Sequence, residues 1–406
     1  MSGEVHNPDV RDGAPEPDAA KLPKALLYSI AADIGGIGLP KTAHEGLVLS
    51  DRLDFLQKAI SYGSRQGEIP RSKIQSLSLH PVRLLANLRR DLYYGARKHY
   101  LDWFASRSLR HMPDVDCFHG WSGEALRTLI TARQREIPSL LEVPTWHRNK
   151  FRSKDFYTKS ERGRGHSWRD KLEVTRQQMI SEYELATCLL VQSQMSAESF
   201  IAEGFPPGKI VNVGRGVDPD HFQPGTPPDT FRLIFVGSLK KRKGVHHLLK
   251  AWHGLNLKNA ELVLAGNAHD EMKSYLDNLK TSSVKMLGFT NDVRPHLRSA
   301  TAFVFTSECE GSAKATYEAA ACGLPQITTR ESGDVVIDGL NGVIIPANDP
   351  GALADAIREF HDHPEKLVAM RKAARQRTLE QLTWEHHRRR LAHAYAVAMG
   401  NSEGGS

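Results

Sequence analysis

The chain has 406 residues, 40% hydrophobic and 25% charged, with a formal net charge of +7. That length exceeds one ordinary core and points to two domains, while the composition excludes a disordered or fibrous chain and reads as soluble and globular. No apolar run approaches a bilayer span, the N-terminus has no signal-peptide pattern, and four scattered cysteines (Cys117, Cys188, Cys309, Cys322) offer no disulfide framework or zinc site. Scattered thiols fit a reducing compartment, so a cytoplasmic location is expected. The positive charge leaves nucleic acid, an anionic membrane surface and phosphorylated small molecules as partner classes.

Residues 1–20 are rich in Asp, Glu, Pro and Gly without periodicity and read as a disordered leader; 400–406 read as a flexible tail. A strand is expected over 24–30. It runs into a glycine loop (Gly35, Gly36, Gly38) that lets backbone approach a phosphate or sugar, or serves as a plain turn. An amphipathic helix is expected over 42–61. The stretch 82–110 is basic and helical, with Leu85, Leu88 and Leu92 on one face and Arg83, Arg90 and Arg97 opposite. That basic face is either solvated or in contact with anionic headgroups. A strand over 115–118 would leave His119 at its C-terminal end before glycines, placed to reach a substrate or packed as a structural side chain. Strands are expected over 139–143, 188–191 and 210–213, with a helix over 196–203. The basic loop 148–176 either meets an acidic acceptor or is solvated. Residues 214–228 are dense in Gly and Pro and make the best linker.

A second α/β series follows: a strand over 231–236, a turn carrying Lys240, Lys241, Arg242 and Lys243, a helix over 245–252, and strands over 261–265 and 284–287. Next comes an apolar strand over 302–305, a loop, an Ala-rich helix over 313–322, a stop at Gly323-Leu324-Pro325 and a strand over 326–329. In such a βαβ unit ligands sit where strands end and helices begin. Glu310 would lie at the strand's lip near the helix N-terminus, where free N–H groups attract an anion such as a diphosphate. Glu318 would lie further in, able to accept hydrogen bonds from sugar hydroxyls, and Lys314 adds positive charge. Two plain solvated glutamates are the alternative. A turn over 338–342, a strand over 343–345, and helices over 350–360 and 384–399 complete the chain. Strands alternating with helices in two halves predict two doubly wound domains, 21–214 and 215–383, facing across a cleft.

These residues resemble a known family, the family 4 retaining glycosyltransferases of the GT-B fold. The similar blocks run from Val213-Gly214-Arg215-Gly216-Val217-Asp218 to Phe222 and from Val236-Gly237-Ser238-Leu239 to Lys243-Gly244. They continue with Glu310 to Glu318, Ala321-Cys322-Gly323-Leu324-Pro325, and Asp338-Gly339 to Gly342. The likeness is loose in the first half and close after Leu185. It implies a first domain that binds a glycan or lipid-linked acceptor and a second that binds a nucleoside-diphosphate sugar as co-substrate. It further implies that Glu318 holds the ribose, that Glu310 lies beside the donor sugar, and that Lys243, with Arg242, reaches the diphosphate. Gly237 and Ser238 would border the donor, and Gly311, Ser312, Ala313 and Lys314 would offer it backbone N–H groups. His119 resembles a histidine near the reacting centre in some relatives, and the helix 384–399 would pack back on the first domain.

The resemblance implies a fold that usually needs no metal, so neither metal nor cofactor is expected. Two departures matter: many members carry Arg where Ser238 stands, and Gly311-Ser312-Ala313 replaces a common Gly-Phe-Gly. The expected activity is therefore a hexosyl transfer of the kind used in surface polysaccharide or glycoconjugate synthesis, with peripheral contact at the inner face of the membrane a separate expectation. The rival readings are a nucleotide-sugar epimerase or hydrolase of the same fold and a non-enzymatic basic binder of nucleic acid or membrane surface. Nucleic acid is disfavoured because interleaved aromatics and a recognition helix are missing.

Overall fold

The computed structural model describes residues 21–83, 90–150, 174–277 and 283–400. The leader 1–20, the tail 401–406 and most of the basic loop (151–173) lie outside the described residues, as do residues 84–89 of the basic stretch.

Seven parallel strands form the first sheet: β1 (Leu26–Ile34), β2 (Leu56–Ser64), β3 (Ile74–Ser76), β4 (Cys117–Trp121), β5 (Ser139–Glu142), β6 (Cys188–Val191) and β7 (Ile210–Asn212). Their spatial order is β3-β2-β1-β4-β5-β6-β7. Six parallel strands form the second: β8 (Phe231–Val236), β9 (Ala260–Ala265), β10 (Val284–Gly288), β11 (Ala302–Phe305), β12 (Gln326–Thr329) and β13 (Gly342–Ile345), in the order β10-β9-β8-β11-β12-β13. Both orders reverse beside the first strand of the sheet, which is the doubly wound arrangement. Most of these strands are short apolar runs buried on both faces, as parallel sheets covered by helices require.

The first half departs from the sequence expectation after the glycine loop. The helix expected over 42–61 is instead the helix Leu39–Arg52 followed by β2. Leu53 closes the helix, Asp54 takes a positive φ of 58°, and the chain re-enters the sheet, where Leu56, Ala59 and Ile60 are buried. Leu56, Ala59 and Ile60 stand at a spacing that also fits a helical face, so nothing separates this strand from the helical pattern before it. The basic stretch also reads differently. In the helix Arg90–Arg110, the Arg97 guanidinium lies 4.0 Å from the centroid of the Tyr62 ring, and Tyr62 donates to the Arg97 carbonyl. Arg97 is thus folded inward over an aromatic ring.

The last helix, Trp384–Gly400, returns to the first domain and buries Leu391, Tyr395 and Ala398 in the same core as Tyr28, Leu47 and Leu190. Arg388 on this helix pairs with Glu45 on the first helix. The two domains are also tied through polar contacts. The Asp334 carboxylate accepts from the Gln194 backbone N–H (2.7 Å) and from Asn212 Nδ2 (3.0 Å), and Arg390 donates to the carbonyls of Val213 (2.8 Å) and Gln381 (3.1 Å).

Candidate active site

The strand order of the second sheet reverses between β8 and β11. Loops leaving the carboxyl ends of these neighbours diverge and open a crevice. Two glycines bring the loops close enough to act together. A Cβ at Gly266 would lie 1.9 Å from the Gly237 carbonyl, so the loops after β8 and β9 pack backbone on backbone. At Gly244, with φ 71°, a Cβ would meet the Thr306 carbonyl at 2.0 Å. The turn Lys241–Lys243 is therefore pressed against the loop after β11, and this sets Lys243 beside Glu310.

Glu310 is held by three donors on one oxygen. Its Oε1 accepts from Arg242 Nη1 (3.0 Å), from Ser307 Oγ (3.1 Å) and from Lys243 Nζ. Arg242 also donates to the Cys309 carbonyl, which anchors the loop from below. Lys243 is largely buried. Burial pushes its ammonium below the ordinary lysine range while the Glu310 carboxylate pulls it back. Glu318, from the helix Lys314–Ala321, is buried and accepts from Lys314 one turn earlier. No side chain caps this helix and no acid occupies its first turn; the Ala313 N–H, expected to face the donor, is taken by the Ser332 carbonyl and that of Thr316 by the Ala313 carbonyl, which leaves the N–H groups of Lys314 and Ala315 for an anion.

A cleft of about 930 Å³ gathers these groups. Gly237, Ser238, Lys243 and Glu310 line it from one set of loops, and Ser312, Ala313, Lys314 and Glu318 from the helix start. Across the gap stand Gly36, Gly38 and Lys41 of the first domain. Three other expected residues lie behind this surface. Arg242 acts on the cleft through Glu310, and Gly35 packs towards Gln66, which a Cβ would approach to 3.0 Å. Gly311 forms part of the seam between domains, since a Cβ there would lie 2.1 Å from the Pro144 carbonyl.

His119 is the correction. The strand expected to end at residue 118 runs on to Trp121, so His119 is its middle residue, paired in register with Tyr28 of β1. It is fully buried, its Nδ1 shares a 2.7 Å hydrogen bond with the Tyr395 hydroxyl, and it does not line the cleft. The imidazole fastens the last helix to the first sheet.

Several cleft residues carried too little signal in the sequence. Lys41 follows the glycine loop and pairs with Glu45. Asp292 and Arg294 form a two-pronged pair at the cleft (2.7 and 2.9 Å), whose hydrogen bonds pull the Asp292 carboxyl down to about 2. Arg215, in the crossover between domains, also lines the cleft. Only the short Gly214-Arg215-Gly216 run marked it.

Residues 217–377 match the family described as glycosyl transferases group 1. Over 248 residues the chain is 30% identical to D-inositol 3-phosphate glycosyltransferase 1 of Catenulispora acidiphila, covering 53% of this chain and 58% of that protein. It is 29% identical over 226 residues to glycogen synthase of Mycobacterium tuberculosis, covering 52% and 54%. The chain thus spans little more than half the length of these two relatives. Among solved structures, Anabaena HepE in complex with UDP superposes with a TM-score of 0.65 at 16% identity, covering 91% of this chain and 98% of that one. Sucrose-phosphate synthase of Thermosynechococcus elongatus gives 0.66 at 17% identity, covering 92% and 98%. The chain has the GT-B glycosyltransferase fold, and its second domain matches the glycosyl transferases group 1 family.

Proposed function

We propose that this protein is a retaining glycosyltransferase that moves a hexose-type sugar from a nucleoside-diphosphate sugar to a glycan or lipid-linked acceptor. The observation that carries the reading is that Lys243, Glu310, Glu318 and the uncapped start of the helix Lys314–Ala321 line one cleft between two doubly wound domains. Cleaving a sugar–diphosphate bond builds positive charge on the ring and negative charge on the departing phosphate. The helix N-terminus and Lys243 answer the second charge. Glu310, fixed by Arg242 and Ser307, answers the first and positions the sugar. Glu318 offers a buried carboxylate to a diol such as the ribose. The HepE neighbour was solved with UDP-glucose, which makes UDP-glucose the first donor to try.

Because cationic side chains and backbone N–H groups supply the charge, we propose a reaction that needs no metal, and chelation by EDTA is expected to leave the rate unchanged. A relative named as a lipopolysaccharide core biosynthesis glycosyltransferase of Rhizobium meliloti, 29% identical over 192 residues, motivates a surface glycoconjugate as product. No helix among the described residues is long and apolar enough to cross a membrane. Peripheral contact with an anionic inner face belongs to the proposal, and failure to sediment with anionic liposomes at low salt would remove it.

The test is a panel of UDP-, GDP- and ADP-sugars with and without glycan acceptors, read by release of nucleoside diphosphate and by NMR of the product. Transfer with the donor's anomeric configuration kept is expected. An epimerised donor, or hydrolysis with no transfer to any acceptor, would contradict the proposal.

A further inference from the structure

Five cationic side chains line the cleft: Lys41, Arg215, Lys243, Arg294 and Lys314. Four are paired with a carboxylate, namely Glu45, Glu310, Asp292 and Glu318 respectively. Arg215 differs. It is 6% exposed, and among the described residues its guanidinium makes no hydrogen bond or ion pair, with Nε both buried and unpartnered.

The backbone around it is fixed from three directions. The Arg215 N–H donates to the Tyr317 hydroxyl (3.1 Å), its carbonyl accepts from Arg390 Nη2 (3.2 Å), and a Cβ at the next residue, Gly216, would come within 2.6 Å of Trp384 Cα. The side chain is therefore delivered by design of the crossover. A guanidinium stays protonated in proteins, and taking such a charge out of water without a counter-ion is costly. Glu318, Glu142 and Glu310 lie near enough to favour the charged form without pairing with it. A planar cation with its fork unused suits the tetrahedral oxygens of a phosphate better than a single hydroxyl. Ser238 on the same cleft carries no charge, and Lys243 shares its ammonium between this cleft and Glu310.

We propose that Arg215 binds a phosphate oxygen of the donor's diphosphate, so that the crossover between domains supplies a second cation beside Lys243. The inference rests on the donor reading above. Wild type and Arg215→Met are titrated calorimetrically with a nucleoside diphosphate and with the matching nucleoside, and their ligand-free melting points are compared. Hydrogen bonds to charged groups are worth enough to predict a ~10–100-fold loss of diphosphate affinity. Nucleoside affinity is expected to hold, and the free protein to melt at the same temperature or higher, since an unpaired buried charge has been removed. Arg215→Lys should recover part of the affinity. Unchanged diphosphate affinity, including a case where only the acceptor KM rises, overturns the inference in favour of an acceptor anion. Equal weakening of nucleoside and diphosphate with a lower melting point, or loss of the fold in both variants, overturns it in favour of a structural role. A wild type that binds no nucleoside diphosphate overturns the donor reading itself, and this inference with it.

Discussion

Glu310 gathers Arg242, Lys243 and Ser307 on a single oxygen, and this geometry separates its part from that of Glu318. Replacing it with Gln keeps the shape and removes the charge that, on the proposed function, faces the sugar, freeing Lys243 for the phosphate. We expect Glu310→Gln to lower kcat by about 100-fold, the scale of one lost transition-state contact, while changing nucleoside diphosphate affinity less than about 3-fold. Steady-state kinetics beside calorimetry reads both, and a large loss of affinity at unchanged kcat would reverse the assignment. The same residues show why part of the site was legible. Glu310, Lys314 and Glu318 share one strand–loop–helix unit, so short-range pattern was enough. His119 was not, because its partner Tyr395 lies far along the chain and because the strand end fell three residues later than the apolar run implied. Arg215 was not, because what distinguishes it is the lack of a partner.

Among the elements, the helix Lys314–Ala321 and the loop before it act as one piece with the neighbouring domain. Gly311 touches Pro144 so closely that any side chain must part the seam. Gly311→Ala is expected to destabilise by about 1–3 kcal/mol, the range for forcing a methyl into a packed contact, and to reduce turnover. Urea denaturation checks the first, and an unchanged midpoint would mean that the seam opens freely. The last helix supplies a pH effect. His387 is fully buried, shares a hydrogen bond with the Val213 carbonyl, and burial pushes its pKa down to about 3 from the ordinary 6.5. Between those values the unfolded chain takes up a proton that the native chain refuses. Its stabilising share is therefore complete above about pH 6.5 and declines as pH falls towards 3. His387→Gln should flatten that part of the pH–Tm curve, and an identical slope would assign the acid sensitivity to other groups. The sequence located this helix well but missed β2, since apolar residues at 56, 59 and 60 directly after an amphipathic helix look like its continuation.

At the level of the whole molecule, two sheets with separate cores are joined by the crossover at 213–217 and by the returning helix. The doubly wound halves were readable because buried parallel strands leave short apolar runs at regular intervals. The fit between halves was not, because contacts such as Asp334 with Asn212 and Arg388 with Glu45 link residues more than a hundred positions apart. Tyr395→Ala would empty the joint between the last helix and the first sheet. A loss of roughly 3 kcal/mol or more is expected from thermal or urea unfolding, as for other buried aromatic truncations, and a loss below 1 kcal/mol would show that the strap is dispensable. On the proposed function, one cleft between these domains grips an activated sugar by its nucleoside diphosphate. This grip is tested most directly by calorimetric titration of UDP, GDP and ADP into wild type, Lys243→Ala and Glu318→Ala. Wild type is expected to bind at least one diphosphate, with a loss of about 10-fold or more in each variant; affinity equal to wild type in both variants would refute the donor site.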